Sequence, residues 1–221
     1  MNKKSIILLS GGLDSLVSLG LSIKEYNIKL ALTFNYGQNS AQKEIETSKK
    51  ISDYYNIEHE IVELPFLKKI TNNALVGNSE DLPTENIGTV ESAKAVWVPN
   101  RNGLFLNIAA SYAEAKGYTH IIIGANAQEG KTFPDNTEDF IDGVNNAFKY
   151  STKVGVKVIA PLINYNKNDI VKKALEYKIP LELTYSCYSN GEKNCGECES
   201  CKNLKNALIE NGAVNYIEKL F

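Results

Sequence analysis

Short apolar runs and helical stripes alternate along this chain in a regular order. Ser5-Ile6-Ile7-Leu8-Leu9 is an apolar, partly β-branched run, the pattern of a strand buried on both faces. Directly beyond it, Leu16, Leu19, Gly20 and Ile23 recur at i, i+3, i+4 and i+7, one face of a helix. Residues 28–34 read as a second strand. Residues 40–55 read as a helix with Ala41, Ile45, Ser48 and Ile51 on one stripe, and residues 58–64 as a third strand. Residues 65–100 are long and mixed, with few periodic cues beyond a short helix at 66–71; a loop of such length is usually functional or mobile. The alternation then resumes. A helix over 103–116 carries Leu104, Ile108, Tyr112 and Ala115 on one side, and a strand follows at 119–124. A loop at 125–135 leads to a helix marked by Phe140, Val144 and Phe148. A fifth strand spans 156–161, and a helix spans 167–177 with Asn166 as its cap. No internal repeat or low-complexity segment interrupts the order.

Strands alternating with helices predict an α/β fold with a doubly wound, mainly parallel sheet. Such sheets bind ligands at the carboxyl ends of their strands. Two segments fall at such ends: Ser10-Gly11-Gly12-Leu13-Asp14-Ser15 and Asn35-Tyr36-Gly37-Gln38. In the first, two adjacent glycines let the backbone bend sharply and approach a ligand closely. The free N–H groups of the following helix point at that ligand, and the helix dipole favours negative charge there. Ser10 and Ser15 add hydroxyl donors, so the turn reads as a phosphate cradle. No Gly-Lys-Ser/Thr follows, so it is not a P-loop, and the glycines are not spaced as in the dinucleotide fingerprint. A carboxylate at Asp14 makes sense beside phosphates if Mg²⁺ lies between them. The competing reading is a tight strand-to-helix turn with Ser10 or Asp14 as a simple cap.

Bulk properties narrow the class. The 221 residues suit one domain, 43% hydrophobic and 23% charged, as in soluble globular proteins. A net charge of −2 argues against a broad electrostatic grip on nucleic acid. No run of about 18 apolar residues is present, so no transmembrane helix is expected. Gly11, Gly12 and Asp14 interrupt the first apolar run too early for a secretion signal. A cytoplasmic protein is expected. Among the 24 basic residues, Arg101 is the one arginine, four residues after the single tryptophan, Trp97. A guanidinium can bind a carboxylate or phosphate through two parallel hydrogen bonds, which an ammonium cannot. Trp97 reads as core packing ahead of a base-stacking platform.

All four cysteines, Cys187, Cys195, Cys198 and Cys201, lie in one short span. Gly191 and Gly196 supply turns that let the thiolates converge, and four sulfurs suit a closed, structural tetrahedral Zn²⁺ site. An iron–sulfur cluster uses similar spacing and remains a rival. Disulfides do not suit a cytosolic chain, and a redox pair lacks its usual setting. Glu192, Glu197 and Glu199 disfavour a zinc ribbon that binds nucleic acid. Neither His59 nor His120 is close in sequence.

The six residues Ser10–Ser15 resemble the SGGxDS PP-loop of the ATP pyrophosphatases, which split ATP between its α and β phosphates and adenylate a substrate. That motif alone leaves GMP, NAD and argininosuccinate synthetases, tRNA-lysidine synthetases and tRNA thiolases open. Thr184-Tyr185-Ser186-Cys187, Cys195-Gly196-x-Cys198-x-x-Cys201, Asn35-Tyr36-Gly37-Gln38 and Val98-Pro99-Asn100-Arg101-Asn102 narrow it. Together they resemble the QueC family of 7-cyano-7-deazaguanine synthases, over essentially the whole chain. The resemblance implies a Rossmann-like fold of the adenine nucleotide alpha-hydrolase kind, as one domain over 1–221 with a zinc-binding segment at about 184–221. It implies ATP-driven conversion of 7-carboxy-7-deazaguanine and ammonia to the nitrile preQ0, a precursor of queuosine and archaeosine. It implies nucleotide binding by Leu9, Ser10, Gly11, Gly12, Leu13, Asp14, Ser15, Leu16, Val17, Ser18 and Leu19, with Tyr36, Gly37 and Gln38. Catalytic roles fall to Asp14, Ser15 and Arg101. Substrate binding falls to Asn100, Arg101, Asn102, Lys131 and Asp135, and zinc to the four cysteines. Mg²⁺, a homodimer and no direct nucleic-acid partner complete the expectation. One segment departs from the family: an SGYPDC-type stretch is here Gly130-Lys131-Thr132-Phe133-Pro134-Asp135-Asn136. An enzyme that stops at the amide or joins the deazaguanine to another acceptor, and a thiolase with an iron–sulfur cluster, are the alternatives.

Overall fold

The computed structural model describes residues 3–77, Leu82 and 89–221. Five strands form one parallel sheet: β1 (Lys4–Leu8), β2 (Asn27–Asn35), β3 (Glu58–Glu63), β4 (His120–Ile122) and β5 (Lys157–Ile159), in the order β3-β2-β1-β4-β5. Alternate residues of central β1 feed opposite cores, as the two-residue period of a strand requires. Ile6 and Leu8 pack one side with Leu30 and Leu32, while Ile7 and Leu9 pack the other with Ala31 and Ile122.

Helices α1 (Leu13–Ser22) and α2 (Ala41–Tyr55) contribute to the second core through Leu16, Leu19 and Ile51. The first core takes Leu67 from α3 (Pro65–Ile70), Leu106 and three alanines from α5 (Arg101–Lys116), and Ile141 and Phe148 from α6 (Glu138–Ser151). Between α3 and α5 lies the short α4 (Val90–Ala95). The last helices are α7 (Lys167–Glu176), α8 (Glu199–Glu210) and α9 (Ile217–Leu220); Ile170, Leu204, Leu208 and Leu220 return to the second core. The sheet is thus covered on both faces, with the strand order reversing between β1 and β4. That reversal is the switch point at which open α/β sheets form their binding crevice.

Three expectations need correction. The mixed stretch 65–100 contains α4, a six-residue helix opened by a capping box between Thr89 and Ser92. Residues 78–81 and 83–88 of that stretch lie outside the described residues. On α5, the innermost face is Leu106, Ala109, Ala110 and Ala113; Leu104, Ile108 and Tyr112 are only partly buried and Ala115 is exposed. Small alanines turn inward where the helix lies close on the sheet, and the larger residues flank them. Finally, the cap of α1 is Gly12, with no side-chain cap bond, so neither Ser10 nor Asp14 is a helix cap. Asn166 does cap α7, accepting from the Asp169 N–H at 3.0 Å.

Candidate active site

The turn after β1 is built around two constraints on glycine. Gly11 has φ +79°, and a Cβ there would meet Thr47 of α2 at 2.8 Å. At the end of β4, a Cβ on Gly124 would meet the backbone of Asp14 and Ser15 at 2.9 Å. The turn is therefore pressed between α2 and the loop after β4. Inside it, the Ser15 hydroxyl donates to the Gly12 carbonyl at 3.0 Å and accepts from the Ser10 N–H at 3.3 Å.

A cavity of about 510 Å³ opens over this turn. Leu9, Ser10, Gly12, Leu13, Asp14 and Ser15 are on its wall. Leu16, Val17, Ser18 and Leu19 are buried within α1, off that wall, and Gly11 backs onto α2. Tyr36 lines the cavity, whereas Gly37 and Gln38 do not. Gln38 instead donates from Nε2 to Glu44 at 3.0 Å, and Ser40 donates to Glu44 at 2.6 Å. Arg101, Asn102, Lys131 and Asp135 also line the wall; Asn100 does not, and its φ of +52° makes the tight turn into α5.

Two charged poles face the cavity. At the phosphate-loop pole, Lys167 at the start of α7 pairs with Asp14 and, at 2.8 Å, with Glu129. Lys167 is buried. Burial opposes its charge, but the two carboxylates hold its ammonium protonated well above the usual lysine range. Burial pushes Asp14 up to about 6 against the pull of Lys167. Burial also pushes Glu129 up, yet Lys167, helped by Asn126 and Arg101, holds it below the usual range. One Asp14 oxygen, Oδ1, is buried without a hydrogen-bond partner. At the other pole, the Arg101 guanidinium donates to the Tyr36 hydroxyl at 3.2 Å and lies over that ring. Burial disfavours its charge, but Tyr36, Asp135 and Glu44 keep it protonated. Asp135 accepts from the Asn102 N–H at 3.4 Å and from Asn136 at 3.2 Å, and burial raises its pKa.

Trp97 and Phe133 lie with ring centroids 5.9 Å apart and planes 8° from parallel, both on the cavity wall. Trp97 is partly exposed there, which corrects its reading as core packing. Neither histidine reaches the cavity: His59 bonds Thr33 at 2.8 Å, and His120 packs on Tyr26.

The four cysteine sulfurs lie within 4.8 Å of one another. Backbone N–H groups of Ser189 and Cys195 point at the Cys187 sulfur at 3.4 Å, and those of Glu197 and Cys198 at the Cys195 sulfur at 3.4 and 3.3 Å. Hydrogen bonds from Cys198 and Cys201 lower the Cys187 thiol far below its usual range, and the same bonds raise the other two. N–H donors aimed at converging sulfurs stabilise thiolates, so the cluster fits a metal ion. Gly196, at φ +77°, makes the turn between two of the cysteines.

Sequence reasoning missed Lys167, Glu129 and Glu44. Lys167 did carry a signal: a lysine at the first position of a helix sits against the dipole, where acids are favoured. Glu129 and Glu44 carried none, because nothing local distinguishes them from surface acids.

The parallel sheet with a glycine turn and serine hydroxyls at its switch point defines a PP-loop protein of Rossmann-like α/β class. The solved U34-tRNA thiolase NcsA from Methanococcus maripaludis, described with its iron–sulfur cluster, shares the fold at a TM-score of 0.51 and 18% identity, over 99% of this chain and 70% of that one. Residues 4–212 match the family described as queuosine biosynthesis protein QueC, and the chain belongs to that family. It is 52% identical to a 7-cyano-7-deazaguanine synthase of Carboxydothermus hydrogenoformans, over 93% of this chain and 98% of that protein. A protein of the same description in Methanosarcina mazei is 48% identical, over 90% of each chain.

Proposed function

We propose that this enzyme converts 7-carboxy-7-deazaguanine and ammonia to 7-cyano-7-deazaguanine, using ATP to activate the same carbon twice. The observation that carries the reading, beside family membership, is one cavity lined both by the glycine turn of Ser10–Ser15 and by Arg101 and Asp135. A reaction that moves an adenylyl group onto a carboxylate needs its two substrates held in one water-poor space.

The chemistry follows from leaving groups. A carboxylate resists attack by ammonia because oxide leaves poorly. Transfer of the adenylyl group to a carboxylate oxygen releases pyrophosphate and makes that oxygen part of AMP. Ammonia then attacks the carbon, AMP departs, and an amide results. A second adenylation, on the amide oxygen, releases a second pyrophosphate. Loss of AMP and a proton from nitrogen leaves the nitrile.

In this scheme the phosphate chain lies over Ser10–Ser15, with the Ser10 hydroxyl and the N–H groups of Asp14 and Ser15 as donors, the Leu13 N–H being taken by Ser186. Lys167 holds positive charge beside the phosphates in a buried position, where it acts without solvent reorganisation. Arg101 grips the substrate carboxylate or a phosphate, and the Trp97–Phe133 wall offers a flat apolar surface to the bicyclic ring. Asn102, Lys131 and Asp135 supply polar contacts around it. The orphaned Asp14 Oδ1 is the group to hold Mg²⁺, which would neutralise phosphate charge. The four cysteines would hold zinc, closed to substrate and structural. No step requires a histidine, in keeping with two histidines away from the cavity. On the same reading the enzyme is a single catalytic domain working in the cytoplasm as a homodimer, without direct contact to nucleic acid. Among the described residues no helix is long and apolar enough to cross a membrane.

The test is mass spectrometry of the products from ATP, ammonium and 7-carboxy-7-deazaguanine. The expected products are the nitrile, AMP and pyrophosphate. ADP in place of AMP, or an unchanged acid, overturns the reading.

A further inference from the structure

The segment that carries the cysteines is bonded directly to the phosphate loop. The Gly11 carbonyl accepts from the Tyr185 N–H at 2.9 Å and from the Thr184 hydroxyl at 3.2 Å. The Leu13 N–H, at the first residue of α1, donates to the Ser186 hydroxyl at 3.3 Å. Ser186 in turn is anchored: its N–H donates to Asn194 Oδ1 at 2.9 Å, and the buried Asn194 donates to the Leu220 carbonyl at 2.9 Å. The Tyr185 hydroxyl donates to the Ser189 carbonyl at 2.7 Å and lies 3.2 Å from that of Gly191, closing the loop between the first two cysteines. Cys187 follows Ser186 by one peptide bond, and both line the cavity that holds Ser10 and Asp14.

A helix start needs partners for its first N–H groups. Here Gly12 occupies the cap position of α1 and has no side chain to provide one. Ser186 provides it from 173 residues away in the sequence. The loop's carbonyl and first helical N–H are therefore both held by the cysteine segment, and not by the loop's own residues.

We propose that Ser186 is a positioning residue for the nucleotide: it fixes the start of α1, so that the order of the cysteine segment sets how well the loop binds phosphate. The inference rests on the ATP reading above. It separates two uses of the cysteine cluster. A cluster that only stabilises the fold affects every step alike, whereas one that aims the phosphate loop affects ATP first.

The test compares the metal-loaded wild-type, Ser186→Ala and Ser186→Thr enzymes, by kinetics and by calorimetric binding of ATP. Ser186→Ala is expected to raise KM and Kd for ATP about tenfold, the scale of one hydrogen bond. The KM for the deazaguanine acid and the melting temperature should stay near wild type. Ser186→Thr, which keeps the hydroxyl, should recover most of the ATP affinity. In hydrogen exchange, the Leu13 amide should exchange faster in Ser186→Ala than in wild type. An unchanged ATP affinity in Ser186→Ala overturns the inference. A tighter affinity also does, because Ser186 would then merely occupy an N–H that phosphate needs. An equal fall in every kinetic parameter would show a structural role alone. Wild-type enzyme that binds no ATP would overturn the functional reading itself, a result distinct from wild type and Ser186→Ala binding ATP equally well.

Discussion

Lys167 combines burial and charge in one side chain. It lies between Asp14 and Glu129 with little solvent to screen it. Removing one partner of such a buried cluster leaves the others unpaired, which costs about 3–5 kcal/mol. Lys167→Met is therefore expected to lower the urea midpoint clearly and to abolish AMP formation; unchanged stability would show that Asp14 and Glu129 are solvated without it. Asp14 adds a pH signature. Its carboxyl, raised to about 6 by burial, keeps its proton in the native state where the unfolded chain has lost it. That contribution to stability is fully present below the unfolded aspartate pKa and is lost as pH rises through about 6. Cation binding needs the ionised form, so activity should rise through the same range. Added Mg²⁺ should move that acid limb to lower pH, and a limb that Mg²⁺ leaves in place would exclude Asp14 as its ligand. At the other pole, Arg101→Lys keeps a charge but loses the planar fork held by Tyr36. A loss of about 100-fold in kcat/KM is expected, equivalent to roughly 2–3 kcal/mol, with little change in melting temperature. Wild-type kcat/KM in that variant would make the guanidinium incidental.

At the scale of elements, each strand and long helix up to α7 was legible from periodicity, because buried parallel strands and amphipathic helices write their burial into composition. What escaped had a physical reason. Helix α4 is too short for a stripe and rests on its Thr89–Ser92 capping box. Helix α8 begins inside the cysteine cluster, with Cys198 as its cap, so spacing that suggests a loop conceals a helix start. On α5 small alanines face the sheet, and the stripe of larger apolar side chains marks the flank of the helix instead. The cysteine element carries its own prediction. Four-thiolate zinc sites contribute about 10 kcal/mol or more to the folding of small zinc peptides. Cys198→Ser is thus expected to give insoluble or protease-sensitive protein, in contrast to the stable, ATP-specific defect of Ser186→Ala. Metal analysis of anaerobically purified protein should find zinc near one per chain, and iron with sulfide would replace zinc in the assignment.

Across the whole molecule, the site is a product of topology. The glycine turn could be read locally, because its chemistry lies in six consecutive residues. The charged poles could not: Asp14, Glu129 and Lys167 meet only because the turn after β1, the loop after β4 and the start of α7 converge where the strand order reverses. The same convergence places the cysteine segment against the phosphate loop. On the proposed reading both substrates share the one cavity, so that the amide need not leave before the second ATP binds. The ratio of AMP released to nitrile formed, measured together by mass spectrometry during turnover of the acid with excess ammonium, tests this most directly. Two AMP are expected for each nitrile, with no lasting pool of amide. One AMP for each product, with the amide as the end point, would contradict it.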